Sequence, residues 1–293
     1  MNRRKWIILI ISLFNMFFFS TTLSAGLIKG IYINQETMEN TAQISYLINR
    51  AKKVGITTFI VDLEKPSGIY QKNIGLLKAN GIKYIARIIF FPNNGGTSQQ
   101  VHSQDYWNKK YQLAKTAIAY GASQIQLDYI RYKSKQPASQ QNAQDILAII
   151  RWFKARVGVP VQIDVFGISS FGPSAHIGQD IKLFSSSVDA VCPMVYPSHY
   201  EPYKMHAVTP YDTVYSSLMA IHHQFSYKPL HFKLIPYIEQ SNYRYPLSRQ
   251  KKLDYLYYQI QAAENANADG WYVWSPHNYY DTLFQVLETK NVK

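Results

Sequence analysis

Two segments of this chain repeat the pattern Gln-x-Asp. Gln126 and Asp128 lie in SQIQLDYIRYK (Ser123–Lys133), and Gln162 and Asp164 lie in PVQIDVFG (Pro160–Gly167). In each the polar residues alternate with apolar ones: Ile125 and Leu127 in the first, Val161, Ile163 and Val165 in the second. That is the period of a β-strand with two unlike faces. Two carboxyls at neighbouring strand ends suit acetal cleavage, which needs one acid protonated and the other ionised or nucleophilic across a sugar bond. Neighbouring charges push the two pKa values apart, as that division of labour requires. Asp128 is the leading catalytic candidate. Its partner is either Asp164 or Glu239, the latter in HFKLIPYIEQ (His231–Gln240).

The same alternation sorts other strand-like segments and collects a binding set. Tyr32, Asp62, Glu64, Arg87, Tyr196, Tyr237 and Trp274 share the face of the two acids, with Arg131 further along the Ser123–Lys133 stretch and His199 at the loop that follows the sixth strand. Arg87, Arg131 and Lys233 can hold one acid ionised. Tyr196, Tyr237 and Trp274 combine flat apolar rings with polar tips and suit the walls of a sugar subsite. A buried group of this kind needs ion pairs, water or a ligand. Its purely structural form would be a satisfied network, with Arg87 paired to Asp62 or Asp128. No cofactor and no metal site are expected: no metal-ligand spacing of His and Cys and no nucleophile-elbow motif occurs. Asp62 and Glu64 alone are a sparse set for a cation. His222 and His223 are adjacent, so on a helix they face different ways. The single Cys192 permits no intramolecular disulfide and sits in a strand-like segment, as a buried thiol would.

The elements that must position these residues alternate strand and helix from Lys29 onward. Strands are expected at Lys29–Asn34, Thr57–Glu64, Lys83–Phe91, Ser123–Lys133, Pro160–Gly167, Val188–Tyr200 (running into a long loop), His231–Gln240 and Gly270–Pro276. Helices are expected at Thr41–Val54, Lys72–Asn80, Asp105–Tyr120, Ala143–Val157, His176–Ser186, Tyr211–Phe225, Leu247–Asn265 and Tyr279–Glu288. Strict alternation argues for a parallel sheet, and about eight units in roughly 260 residues argue for closure into one (β/α)8 TIM barrel over residues 26–293. Its active site would lie at the C-terminal ends of the strands. An open doubly wound sheet is the alternative, but no Gly-rich phosphate loop follows the first strand.

The leader, residues 1–25, has a basic start (Arg3, Arg4, Lys5) and an apolar run from Trp6 to Phe19, the layout of a secretory signal peptide. Export to the periplasm or the extracellular space is the expectation. An uncleaved N-terminal anchor is the alternative, and no membrane span is expected in the mature chain. A hydrophobic share of 47% against 17% charged residues allows a full core and excludes a disordered chain. The net charge of +13 would suit an anionic glycan, lipid headgroups or nucleic acid. No nucleic-acid motif is present, and the charge is spread along the chain, as on a solvated basic surface.

QLDYIRY, IDVFG, VCPMVYPSHY and DGWYVWSPHNYY occur in this order and spacing. Together they resemble the "Putative glycosyl hydrolase domain" of secreted bacterial TIM-barrel proteins, a group similar to the amylase-like glycosidases. The resemblance runs from about Lys29 to Leu287 and implies a (β/α)8 fold and glycan cleavage. In amylase-like barrels the strand-four acid is the nucleophile and the strand-five acid the proton donor. The resemblance therefore implies those roles for Asp128 and Asp164. The strand-five group is usually Glu, and Asp164 is one methylene shorter. VDLEKPSG stands where the family is richer in Asp, and IPYIEQ where a Trp- and Asp-containing segment is expected. The resulting expectation is an exported glycoside hydrolase acting on a surface or extracellular polysaccharide. A barrel that binds glycan without cutting it, and an inert barrel of the cell envelope, are the alternatives.

Overall fold

The computed structural model describes residues 26–290, so the leader expected at residues 1–25 lies outside the described residues. The strands are β1 (Ile28–Ile33), β2 (Thr58–Asp62), β3 (Lys83–Ile89), β4 (Gln124–Asp128), β5 (Val161–Phe166), β6 (Ala190–Met194), β7 (Lys233–Leu234), β8 (Tyr237–Glu239) and β9 (Gly270–Trp274). All pair in parallel. β1 joins β2 on one side and β9 on the other, and β5 joins β6, so the sheet closes on itself. β7 and β8 both pair with β6 and form one interrupted stave. The break falls at Pro236, which has no N–H to give to the ladder, while its carbonyl accepts from the Tyr272 N–H at 2.9 Å. The fold is the expected (β/α)8 barrel.

The main surrounding helices are α1 (Gln35–Glu39), α2 (Thr41–Lys53), α3 (Gly68–Ala79), α4 (Ser98–Val101), α5 (Gln104–Tyr120) and α6 (Gln140–Val157). They continue with α7 (Ile181–Phe184), α8 (Tyr203–Val208), α9 (Pro210–Gln224), α10 (Arg249–Asn265) and α11 (Asp281–Lys290). Side-chain caps set most of their starts. The helix expected from Lys72 begins at Gly68, because the Ser67 hydroxyl accepts from the Tyr70 N–H at 3.1 Å. The helix expected over His176–Ser186 shrinks to α7 because Asp180 caps it through the Leu183 N–H. The preceding loop is instead pinned by Asn142, which donates to the Ala175 carbonyl at 2.8 Å. The short helices α1, α4 and α8 were not in the sequence-based expectation; each is a brief turn beside a longer helix.

Apolar side chains divide into two layers. One fills the space between the strands' outer faces and the helices, with Phe59, Val61, Ile88, Ile125, Leu127, Ile163 and Val165 among them. The other fills the barrel itself and includes Ile60, Ile85, Ala190, Cys192, Ile235, Tyr237 and Tyr272. Inside the barrel the character changes along each strand. Ile60 gives way to Asp62, Ile85 to Arg87, Gln126 to Asp128 and Gln162 to Asp164, moving toward the C-terminal ends. The amides occupy the step between. Gln126 donates to Gln162 Oε1 at 3.0 Å and accepts from Tyr237 at 2.8 Å, and Gln162 donates to Tyr272 at 3.2 Å. Buried polar groups thus satisfy one another beneath the charged layer.

The seam between β9 and β1 is tight at Gly270, where an added Cβ would strike the Ile28 carbonyl of the adjoining strand. Backbone cannot yield as a side chain can. Gly270→Ala should therefore lower stability by about 1–3 kcal/mol or more, read as a drop in the urea midpoint. Gly75, exposed within α3, meets nothing within 4 Å. Gly75→Ala should raise stability by roughly 0.5–1 kcal/mol in the same measurement.

Candidate active site

β3 carries the residue that organises the mouth of the barrel. The Arg87 guanidinium donates through Nη1 to Asp62 on β2, through Nη2 to Asp128 on β4, and through Nε to Asp164 on β5, the last at 3.4 Å. Strand register explains the convergence: Asp62 lies directly beside Arg87, and Leu127 beside Ile163 puts Asp128 and Asp164 next to each other. Burial works against the charge of Arg87, but Asp128 and Asp62 outweigh it and push its pKa up. Asp62 also accepts the Tyr32 hydroxyl at 2.6 Å, and the Arg87 guanidinium sits over the Tyr32 ring at 5.2 Å.

The acids differ in their surroundings. Asp128 takes a second donor, the Tyr129 N–H, at 2.5 Å on Oδ1. Asp164 is 1% exposed, its Oδ1 has no hydrogen-bond partner among the described residues, and its contact with Arg87 is long. Burial, followed by the charge of Asp128, raises the Asp164 pKa well above the carboxylate range, with Arg87 opposing. Asp62 is also raised, by burial first, although Arg87 and the Tyr32 hydroxyl pull it back. Two neighbouring carboxyls on one guanidinium thus sit in unlike environments, the condition for dividing acid and nucleophile roles.

These groups open on a cavity of about 200 Å³ lined by Arg87, Asp128, Tyr129, Arg131, Asp164, Phe166, Gln179, Met194, Tyr196, His199, Tyr237 and Trp274. One wall is aromatic: the Tyr196 and Trp274 rings stack at 5.4 Å, and His199 meets Tyr196 edge-on at 5.1 Å. Burial, then the charge of Arg244, lowers the His199 pKa. The cavity is below the usual 300–1,000 Å³ of ligand pockets, room for about one ring at a time.

The structure brings Asp128, Asp164, Arg87, Arg131, Tyr196, His199, Tyr237 and Trp274 to this cavity. Tyr32 and Asp62 stand behind Arg87 as its supports and do not line it. Glu64 is exposed and outside it, a correction with a local cause. β2 ends at Asp62, and the Glu64 N–H turns to Gln35 Oε1 at 2.8 Å, so strand alternation no longer governs Glu64. Glu239 is likewise outside the cavity lining. Its carboxylate accepts from the Ser198 N–H at 2.8 Å, the Ser198 hydroxyl at 2.7 Å and the Tyr255 hydroxyl of α10. It anchors the loop after β6. Lys233 is exposed at the start of β7, remote from the acids it was expected to hold.

Tyr129 and Gln179 escaped the sequence reading. Tyr129 has φ 51°, a left-handed conformation that aromatic residues rarely adopt, and the turn brings it to the mouth directly after Asp128. Gln179 accepts from the Phe166 N–H at 2.9 Å and donates to the Asp164 carbonyl at 3.3 Å, fixing the end of β5. Neither follows from alternation along a strand.

A closed barrel with carboxyls and aromatic rings at its C-terminal mouth has the architecture of the glycosidase barrels. Residues 93–280 match the family described as "Putative glycosyl hydrolase domain", and the chain belongs to that family. Solved structures agree on the fold. The spore cortex-lytic enzyme SleL of Bacillus cereus aligns with TM-score 0.63 and 13% identity over 90% of this chain and 74% of its own. The endo-beta-1,4-mannanase of Thermotoga petrophila aligns with TM-score 0.65 and 11% identity, covering 90% and 76%. A GH18 chitinase of Pseudoalteromonas aurantia aligns with TM-score 0.57 and 11% identity, covering 90% and 99%. No match was found among curated protein sequences.

Glu239 supplies a pH test. Burial raises its pKa to about 7, against the bonds from Tyr255 and Ser198. The unfolded carboxyl titrates near ~4.3, so the folded state binds the extra proton between these values. Stability should therefore fall as pH rises from about 4.5 to about 7, by an amount on the order of 3 kcal/mol. Glu239→Gln keeps an acceptor for Ser198 and removes the titration. Its melting temperature should change less over that window than that of wild type.

Proposed function

We propose that this chain is an exported glycoside hydrolase that acts on a polysaccharide, with Asp128 as nucleophile and Asp164 as proton donor. The observation that carries the reading is the pair of adjacent carboxyls in unlike environments at the floor of an aromatic-walled cavity. Family membership and the glycosidase barrels with the same fold support it. The signal-like leader supports export.

On this reading each residue has a task. Arg87 holds Asp128 toward the cavity, and the Tyr129 N–H fixes its other oxygen. Asp128 attacks the anomeric carbon as Asp164 gives its proton to the leaving glycosidic oxygen. The C–O bond to the leaving group breaks as the bond to Asp128 forms. Water then opens the glycosyl ester, with Asp164, now ionised, taking the water's proton. Neighbouring strands stand about 4.8 Å apart, and both carboxyls reach one guanidinium. Carboxyls gathered on one cation resemble the close pair of retaining enzymes more than the wider pair of inverting ones, so retention of anomeric configuration is the proposed outcome. Tyr196 and Trp274 offer ring faces for the sugar.

A binding barrel without turnover is the second reading. It draws on one observation: Arg87 is already shared among three acids, which leaves Asp128 strongly engaged in the resting site.

Asp128→Asn should abolish release of reducing ends from any glycan the wild type degrades, by about 10³-fold or more in kcat, while circular dichroism stays native. Turnover that survives this change removes Asp128 from the mechanism. Asp164 must be protonated to act, so kcat/KM should decline as pH rises through its elevated pKa. In Asp164→Asn that alkaline limb should vanish along with most activity, and substrates with good leaving groups should be affected least.

A further inference from the structure

Arg131 is the cation that this mechanism leaves without a task. It is 5% exposed and lines the cavity, with its guanidinium 4.6 Å from the Phe166 ring centre and 5.6 Å from that of Tyr129. Its one side-chain hydrogen bond among the described residues runs from Nη1 to the Tyr132 carbonyl at 3.0 Å. No carboxylate comes within ion-pair distance of it among the described residues, in contrast to Arg87, which meets three. Asp128 is the acid whose charge it feels, but that carboxylate is taken up by Arg87 and the Tyr129 N–H. A guanidinium carries five donors in a planar fork, so most of the recognition capacity of Arg131 is unspent. A largely desolvated cation without a partner is unfavourable. An anion entering the cavity would supply the partner.

The rim repeats the sign of charge. His199 lines the cavity and meets Tyr243 at 6.0 Å, and the Arg244 guanidinium lies over Tyr243 at 5.4 Å and over Tyr203 at 4.4 Å. Arg244 is exposed, and its charge reaches His199. A second cation thus stands on the path from the aromatic wall to solvent. Stacked, planar and edge-open, Arg131 matches a planar carboxylate bidentately, a geometry that a lysine ammonium lacks.

We propose that the cavity takes a sugar bearing a carboxylate, a uronic-acid type of residue within a polymer, and that Arg131 grips that carboxylate. The inference rests on the carbohydrate reading above and adds the chemical class of the sugar. It makes Arg131 a specificity determinant, with Arg244 guiding the acidic chain across the rim.

The test uses affinity electrophoresis and calorimetry of the exported chain with polygalacturonate, alginate and hyaluronate, each beside its carboxyl-reduced counterpart, with dextran sulfate as a further arm. The expected result is retention by at least one polyuronate and loss of retention on its reduced form. Arg131→Met should weaken that binding about tenfold or more. Arg131→Lys should fall between, and removal of the exposed α5 charge in Lys115→Met should have no effect. Thermal melts of both Arg131 variants establish that they fold. The proposal is overturned by equal binding of reduced and native polymers, by preference for dextran sulfate, or by retention on none of them. It is also overturned if Arg131→Met matches Lys115→Met, since diffuse basic charge would then explain the binding. Binding is read without turnover, so polyuronate retention with no release of reducing ends would count against hydrolysis alone. Cleavage confined to neutral glycans would count against the acidic sugar alone.

Discussion

The mouth of this barrel depends on one guanidinium. Arg87 rises from the middle of the parallel sheet and reaches acids on both neighbouring strands and on the next strand beyond β4. Without it, three carboxyls would face one another in a space where water is scarce, and repulsion with desolvation would drive them to take up protons. With it, Asp62 and Asp128 are held close while Asp164 stays at the margin of the same cation. Asymmetry among chemically identical groups follows from unequal burial together with unequal distances to a single charge. A barrel stave is a rigid place from which to set such distances, because its register with both neighbours is fixed by backbone hydrogen bonding.

Below this layer the interior passes through amides and phenols to plain hydrocarbon. Gln126, Gln162, Tyr237 and Tyr272 bond to each other and so need nothing from the charged groups above them. They insulate the charged layer from the apolar base without leaving polar atoms unmatched. The site therefore rests on a floor that is satisfied whether or not a ligand is present, while two residues that line the cavity keep unmatched polar groups among the described residues, Asp164 at Oδ1 and Arg131 on its guanidinium.

Much of this was legible in the chain because the barrel enforces a period of two. Arg87 and Asp164 sit inside regular strands and Asp128 closes one, and alternation alone places them in the interior. The reading failed where the strand stopped governing direction. Glu64 has the right parity after Asp62, but the ladder has already ended and the chain has turned toward Gln35. Tyr129 has the wrong parity and still lines the mouth, because a left-handed backbone brings it there. Glu239 has the right parity and a regular strand, yet Ser198 and Tyr255 claim its carboxylate from 41 and 16 residues away. A partner that distant is set by tertiary packing, which no local pattern encodes. The family resemblance named the acids of strands four and five, and the barrel does set those two side by side.

The Glu239 clamp has a consequence for how this site can change. Its carboxylate ties the loop after β6, which carries Tyr196 and His199, to Tyr255 on the outer helix α10. The aromatic wall is thus moored to the exterior of the molecule as well as to the strand beneath it. Repacking around α10 can shift that wall slightly while every group that lines the cavity keeps its identity. Divergence in what such a barrel accepts need not begin in the cavity. It has a route from the outer shell, along one buried carboxylate, to the face against which a ring would lie.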